Sequence, residues 1–339
     1  MTRVSADVGR AGDDRVVGRQ GRARKGTAVQ RVRAGALTLL SWLACRLPEG
    51  PQVALAELAG RAWYRVAPAR AGQARTNLRR IVAWLAEHGS NDPRILAAAK
   101  DPAALERLVR AAFRHNARYY LEVIRAPSLT SAVFEERLVV ETPETVDAAF
   151  ANSSPKVFIT GHLGPIEMPG LYLASRSRRR ITAPMETVGD PALQDWFERT
   201  RAAFGVRIVT LREARRELLA ELRSGESVGI VADRDITGGG TEVSLFGAPA
   251  PLPIGPALLA TETGAPIYLA GVWRVGRRGY RGRLIEVPVV RDGPRRAQIA
   301  GTLEGEARAF EEVIARAPEQ WMAIFFPIWP ADAAPEAAA

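Results

Sequence analysis

The stretch Gly161-His162-Leu163-Gly164-Pro165-Ile166-Glu167 has the residue types and spacing best suited to chemistry. An imidazole titrates near neutral pH, so a histidine held in the open can act as a general base. A carboxylate against its second ring nitrogen would fix the tautomer and stabilise the imidazolium that forms. Residues 156–160 ahead of it are apolar and of strand length. Gly161 and Gly164 free the backbone to turn, and Pro165 suits the first turn of a helix. His162 is therefore expected where a strand ends, the side on which open α/β sheets bind ligands. On a continuous helix a five-residue spacing would put His162 and Glu167 on different faces, so the pair needs a bend at the glycines. The same residues also suit a structural histidine in a loop, followed by a helix-terminal acid favoured by the helix dipole.

The elements that must position this loop can be read from periodicity. Residues 53–66, 74–88 and 102–125 carry apolar positions at helical spacing, and Pro127 breaks the third of these runs. The pattern then changes. Strand-length apolar runs occur at 156–160, 180–184, 206–210, 227–232, 266–273, 284–290 and 322–328. Helical stretches at 168–175, 191–204, 212–223, 256–263 and 297–317 lie between several of them. Strands alternating with helices predict an α/β fold, a mixed and mostly parallel sheet flanked by helices. The expected organisation is a disordered basic tail over 1–33, one catalytic domain over 34–330 with a helical part at 34–127 and an α/β part at 128–330, and a second tail over 331–339.

An ordered set of motifs carries a resemblance. His162 followed by Glu167 after an apolar strand resembles the His-x4-Asp/Glu motif of glycerolipid and lipid A acyltransferases. Val231-Ala232-Asp233-Arg234-Asp235, Glu242-Val243-Ser244-Leu245-Phe246-Gly247, Leu252-Pro253-Ile254-Gly255-Pro256 and Thr263-Gly264-Ala265-Pro266 resemble the phosphatidylinositol mannoside acyltransferases. Asn77-Leu78 and Pro318-Glu319-Gln320-Trp321 fit the wider family, and the match runs from about residue 34 to 330. The resemblance implies a glycerolipid acyltransferase-like fold. It also implies direct acyl transfer from acyl-CoA or acyl carrier protein to a glycolipid hydroxyl, with no metal or cofactor beyond the thioester donor. It implies Glu242 as a partner of His162, and Arg201 (or Arg199) near the acceptor's sugar and phosphate. By the same resemblance Glu186 falls where that family has an acid near the acceptor, and Asp233 and Arg234 would belong to the substrate-binding region, though they equally suit a buried pair at a strand end. This chain departs in carrying Glu167 where the mannoside enzymes carry Asp. Glu is common in the lipid A branch, so a lipid A-type precursor or another glycolipid is the alternative acceptor. Backbone amides near Gly164 are candidates to stabilise an oxyanion.

Composition bounds the rest. The 339 residues carry a formal net charge of +10, which suggests a polyanionic partner. Only Trp273 and Tyr280 accompany the arginine cluster at 274–283, too few stacking aromatics for a nucleic-acid site, so none is expected as a partner. That cluster, and Arg176, Arg178, Arg179 and Arg180, suit either a solvated face or the phosphates of a membrane or of CoA. The apolar helix expected over 34–47 has about 14 residues, short of the roughly 20 that span a bilayer. It suits a core helix or an interfacial one on an anionic surface, which would put the protein peripherally on the cytoplasmic face of the inner membrane. One cysteine, Cys45, excludes an intrachain disulfide. Gly225-Glu226-Ser227-Val228-Gly229 matches the nucleophile-elbow pattern, but a helix precedes it and a strand follows, the reverse of what an elbow needs. No covalent acyl-enzyme is therefore expected at Ser227 or Cys45.

Overall fold

The computed structural model describes residues 27–177, 180–186, 189–203, 205–236 and 238–329. The chain opens with five helices: α1 (Ala28–Arg46), α2 (Glu49–Val66), α3 (Pro68–Glu87), α4 (Pro93–Lys100) and α5 (Pro102–Arg125). Proline in the first turn of α3, α4 and α5 costs no hydrogen bond there, and the Asp92 and Asp101 side chains cap α4 and α5. α1 starts six residues earlier than the apolar run suggests. The Thr27 hydroxyl accepts from the Gln30 amide while the Gln30 side chain accepts from Thr27, a reciprocal cap that nucleates the helix ahead of its apolar part. Residues 28–33 are thus helical rather than tail, while the expected tail over 1–26 and that over 331–339 lie outside the described residues.

Beyond α5 come α6 (Ser131–Arg137), β1 (Leu138–Val140), α7 (Pro143–Phe150), β2 (Val157–Thr160), α8 (Glu167–Ser177), β3 (Ile181–Met185) and α9 (Pro191–Ala202). They are followed by β4 (Val206–Thr210), α10 (Leu211–Arg223), β5 (Ser227–Val231), β6 (Thr241–Leu245), β7 (Ala248–Leu252), α11 (Gly255–Thr263), β8 (Ile267–Val275), β9 (Gly279–Val287) and α12 (Arg295–Ile314). Seven strands form one sheet in the order β1-β9-β8-β2-β5-β3-β4, with β6 and β7 as a separate hairpin. Every pairing in the large sheet is parallel except β8 with β9. This is the mixed, mostly parallel α/β fold expected from the alternation.

Both faces of the sheet are covered, which is why its central strands are apolar throughout. On one face Val157, Ile159, Val228 and Leu269 pack with α10, α11, α12 and the N-terminal helices. On the other, Phe158, Tyr268 and Val272 meet Phe134 of α6, Val146 of α7 and Met168 and Leu171 of α8.

Two expected strands are corrected. Residues 322–328 form a 3₁₀ turn, Met322–Phe325, followed by extended chain. Met322, Ala323, Ile324 and Phe325 are all buried, so the run is apolar because it is core, with no sheet pairing. Its carbonyls bond instead to Asn77, fully buried on α3, whose Nδ2 donates to Ile324 O at 2.9 Å and Phe326 O at 2.8 Å. The strand expected at 284–290 is β9, which starts at Gly279; Arg281 and Arg283 interrupt its apolar pattern and hide its first half.

Candidate active site

β2 and β5 run side by side and parallel, with Thr160 level with Val231 and the Ala232 amide bonded to Thr160 O at 2.9 Å. His162 lies two residues past the end of β2 and Asp233 two past the end of β5, so this register sets the two residues against each other at the carboxyl edge of the sheet. Nδ1 of His162 lies 2.8 Å from Asp233 Oδ1, and the His162 backbone amide donates to Oδ2 at 2.7 Å. Gly161 permits this approach, because a Cβ there would stand 3.2 Å from the Asp233 carboxyl group.

Asp233 is only 2% exposed. Burial pushes its pKa up, but the charge and hydrogen bonds of His162 and the indole of Trp321 outweigh that and hold the carboxyl below its ordinary value. Burial pulls the His162 pKa down, and Asp233 outweighs it, leaving a net rise; Arg234 opposes that rise and Glu186 supports it. An ionised carboxylate only accepts, so Nδ1 must carry the proton and Nε2 is the basic nitrogen. The His162 side chain is 33% exposed, enough for a substrate to reach it.

Asp233, not Glu167 or Glu242, thus holds the imidazole. Glu167 begins α8 and is turned to Arg201 of α9 in a two-pronged pair, Oε1 to Nη2 at 2.6 Å and Oε2 to Nε at 3.1 Å. Arg201 also stacks over Phe197 at 5.1 Å. Arg199 pairs on the surface with Asp195. Glu242 is exposed on β6 opposite Pro251, with the hairpin rather than the imidazole as its setting. Glu186 is exposed just past β3, at the same sheet edge, where its charge reaches His162.

Arg234 lies with its guanidinium 4.1 Å from the Phe326 ring. Asp235 accepts the amides of Gly238 at 3.1 Å and Gly240 at 2.7 Å and so pins the glycine-rich turn leading to β6.

Of the backbone amides near Gly164 considered for an oxyanion, that of Gly164 itself is already taken. Its N–H is committed to Gln320 O at 3.0 Å. With φ +58° and only 2.4 Å from a notional Cβ to Val272 O, it is a glycine for conformational and steric reasons. Met322 N in turn donates to His162 O at 2.7 Å, so residues 320–322 brace the histidine loop from behind. Trp321 Nε1 reaches Asp233 Oδ2 at 2.6 Å. The sequence motif contained Gln320 and Trp321 without indicating these roles.

The elbow pattern is structural. The Ser227 hydroxyl accepts the Lys156 amide at 3.1 Å at the start of β5, the opposite end of the strand from Asp233. Cys45 sits on α1 with its thiol near Arg125 O. Of the arginine clusters, Arg274 is buried in a pair with Glu122, and Arg176 meets Asp147. Arg178 and Arg179 lie outside the described residues.

Over 238 residues, 68% of this chain and 73% of the relative, the sequence is 31% identical to the phosphatidylinositol mannoside acyltransferase of Mycobacterium tuberculosis strain H37Rv. It is 30% identical over 182 residues, 52% of this chain and 60% of the relative, to the protein of the same name from Mycolicibacterium smegmatis. A sequence model of bacterial lipid A biosynthesis acyltransferases matches residues 32–326, and the chain belongs to that acyltransferase family.

Proposed function

We propose that this protein transfers a fatty acyl chain from acyl-CoA, or from acyl carrier protein, to a sugar hydroxyl of a glycolipid, with His162 as general base. Phosphatidylinositol mannoside is the acceptor the relatives' names favour. The observation that carries the reading is the buried Asp233 carboxylate on Nδ1 of a partly exposed His162. Nε2 takes the hydroxyl proton as the acceptor oxygen bonds to the thioester carbonyl carbon. The tetrahedral intermediate then breaks its C–S bond, and the imidazolium returns the proton to the departing thiolate. Asp233 stabilises the cation between these steps. A general base of this kind typically contributes about 10²–10⁴-fold. In this reading Glu186, exposed past β3, and Arg201, paired with Glu167, are the residues that meet the acceptor's hydroxyls and phosphate. A cavity of about 130 Å³ beside Glu167, walled in part by Leu129, Val133, Ile166 and Met168, offers apolar contact to an acyl chain.

The acceptor is a lipid, so the reading includes peripheral binding to the cytoplasmic face of the inner membrane. Among the described residues no helix is long and apolar enough to cross a membrane. α1 instead buries Ser41 and Ala44 and exposes Leu39, Leu40, Trp42 and Leu43, with Leu55 and Leu58 exposed on α2. α1 also packs against α9, the helix that carries Arg201. Apolar residues beside arginines suit the interface of an anionic bilayer.

The test is mass spectrometry of products after incubation with acyl-CoA and a panel of phosphatidylinositol mannosides and lipid A precursors, for wild type and His162→Ala. Acylated mannoside formed by wild type and not by the variant supports the reading. Equal product from a folded His162→Ala would overturn the base, and product on none of the acceptors would overturn the substrate class.

A further inference from the structure

Arg201 and Arg274 are each held by a carboxylate through two hydrogen bonds, from Glu167 and Glu122. Arg70 and Arg234 differ. Neither side chain makes a hydrogen bond or ion pair with any described residue, and what the two share is one aromatic ring. The guanidinium carbon of Arg70 stands 5.8 Å and that of Arg234 4.1 Å from the centre of Phe326. The two cations are therefore near neighbours. A guanidinium laid on a ring spends its face there and keeps its planar fork of N–H donors free. Phe326 is itself 38% exposed, so the platform opens to solvent.

Both sides of the platform are fixed by buried hydrogen bonds. Arg70 lies in the first turn of α3, and Asn77 further along that helix donates to Phe326 O at 2.8 Å. Arg234 follows Asp233, whose carboxylate is held by Trp321 from the same segment as Phe326. The platform also stands beside the catalytic pair. The charge of Arg234 opposes the raised pKa of His162, which Asp233 and Glu186 support. An uncompensated cation there works against a general base, and an anion bound to it would relieve that opposition.

Which substrate supplies the anion follows from the two faces of the sheet. Glu167 begins α8, and the cavity beside it shares Leu129 and Met168 with the core that holds Phe158 and Tyr268. Leu78 of α3 and Phe325 belong to the core on the opposite face. The Glu167–Arg201 pair and its cavity thus lie to one side of His162, and Arg70 and Phe326 to the other. An acyl thioester with its carbonyl at His162 would send its chain one way and its carrier arm the other. That arm bears a phosphate on pantetheine, whether it belongs to CoA or to a carrier protein. We infer that Arg70 and Arg234, laid on Phe326, bind the phosphate of the donor's phosphopantetheine arm. Two guanidinium forks can grip one tetrahedral phosphate through charge-assisted hydrogen bonds. The inference rests on the acyl-transfer reading above for the identity of the donor, and not on His162 being the base.

Calorimetric titration tests it on wild type, Arg70→Gln, Arg234→Gln, the double variant and His162→Ala, with circular dichroism as the fold control. The probes are CoA, phosphopantetheine and phosphate-free pantetheine. Wild type and His162→Ala should bind phosphopantetheine about tenfold or more tighter than pantetheine, and the double variant should bind the two alike. Equal affinity for CoA and phosphopantetheine, both lowered in the variants, assigns the phosphate that CoA and a carrier protein have in common. A CoA advantage that the variants also lose brings the nucleotide's phosphates onto the same platform and assigns CoA as the donor. Binding needs no turnover, so a failed product assay and a failed subsite are told apart. Indifference of wild type to the phosphate would overturn the inference, as would a phosphate preference undiminished in the folded double variant. So would a preference seen only with the deacylated headgroup of phosphatidylinositol mannoside, which would move the platform to the acceptor.

Discussion

Trp321 donates its indole N–H to the Asp233 oxygen that also receives the His162 amide, at 2.6 and 2.7 Å. The other oxygen of that carboxylate is left to the imidazole. The carboxylate is therefore fixed at both oxygens, and the orientation of His162 is set in part by a residue 88 positions beyond Asp233.

Asp233→Asn should keep the fold and abolish most turnover. An amide can present its N–H₂ to Nδ1, which shifts the imidazole proton to Nε2, the nitrogen that must be basic. The expected loss in kcat is about 10²–10⁴-fold. Thioester turnover on the purified variant is the measurement, and a rate within a few-fold of wild type would remove Asp233 from the mechanism.

The pH profile follows from the same pair. The His162 pKa is raised in the folded chain and that of Asp233 is lowered. Turnover needs neutral His162, so kcat/KM should fall on the acid side with a midpoint above the free imidazole value of about 6.5. Losing the carboxylate charge in Asp233→Asn should move whatever acid limb remains to lower pH. The linked stability runs the other way for the two groups. The raised His162 contributes stability in full below the unfolded imidazole pKa and loses it as pH rises through the folded one. Asp233 contributes above the unfolded carboxyl pKa and loses it as pH falls through its folded one. An acid limb below the free-imidazole value would contradict this assignment.

Trp321→Phe keeps an aromatic ring, leaves a small void where the rest of the indole was, and deletes one donor to a buried carboxylate. A lost partner of that kind costs about 1–3 kcal/mol. Urea unfolding should show that loss with an unchanged denaturant slope, together with lower turnover. Wild-type stability would mean that neither the indole hydrogen bond nor the buried indole volume contributes.

Glu167 and Arg201 should behave as one unit. Glu167→Gln and Arg201→Gln should each reduce turnover by less than Asp233→Asn, and the double variant should fall short of the sum by about 0.5–3 kcal/mol. Glu242→Gln should turn over near the wild-type rate, since Glu242 lies exposed on β6. Additive losses in the cycle would show that the pair is not functionally coupled.

The exposed apolar side of α1 should govern attachment to lipid. Leu40→Ser combined with Leu43→Ser should weaken sedimentation with anionic vesicles, each leucine contributing at most about 1.5–3 kcal/mol on full burial. Raising salt should weaken binding further, because arginines near the surface contribute about 1 kcal/mol each. Binding that is indifferent to both changes would leave α1 without this role.

How much of the site could be read in advance depended on sequence distance. The His162 loop was legible because an apolar run, two glycines and a proline are contiguous. The Asp233 role was not, since only the parallel pairing of β2 with β5 brings residues 71 positions apart together. The conflict over Glu167 has a similar origin: its partner Arg201 lies 34 residues on, on a different helix. Residues 322–328 look like a strand because full burial and sheet pairing leave the same apolar signature. The early start of α1 could have been read from Thr27-Ala28-Val29-Gln30, a capping-box spacing ahead of the apolar stretch.

The two hydrogen bonds from Asn77 to Ile324 O and Phe326 O span 247 and 249 residues of sequence. Closures of that length are slow and come late in folding. On the ribosome the helices through α5 emerge before the chain that will hold Trp321, and domains begin to fold in that order. His162 and Asp233 can meet once β2 and β5 pair, but their brace is absent until the segment around Trp321 is released. A nascent chain stalled before Trp321 would therefore carry His162 and Asp233 yet lack the residue that braces them, and the pair would be locked in place only after residue 321 has emerged.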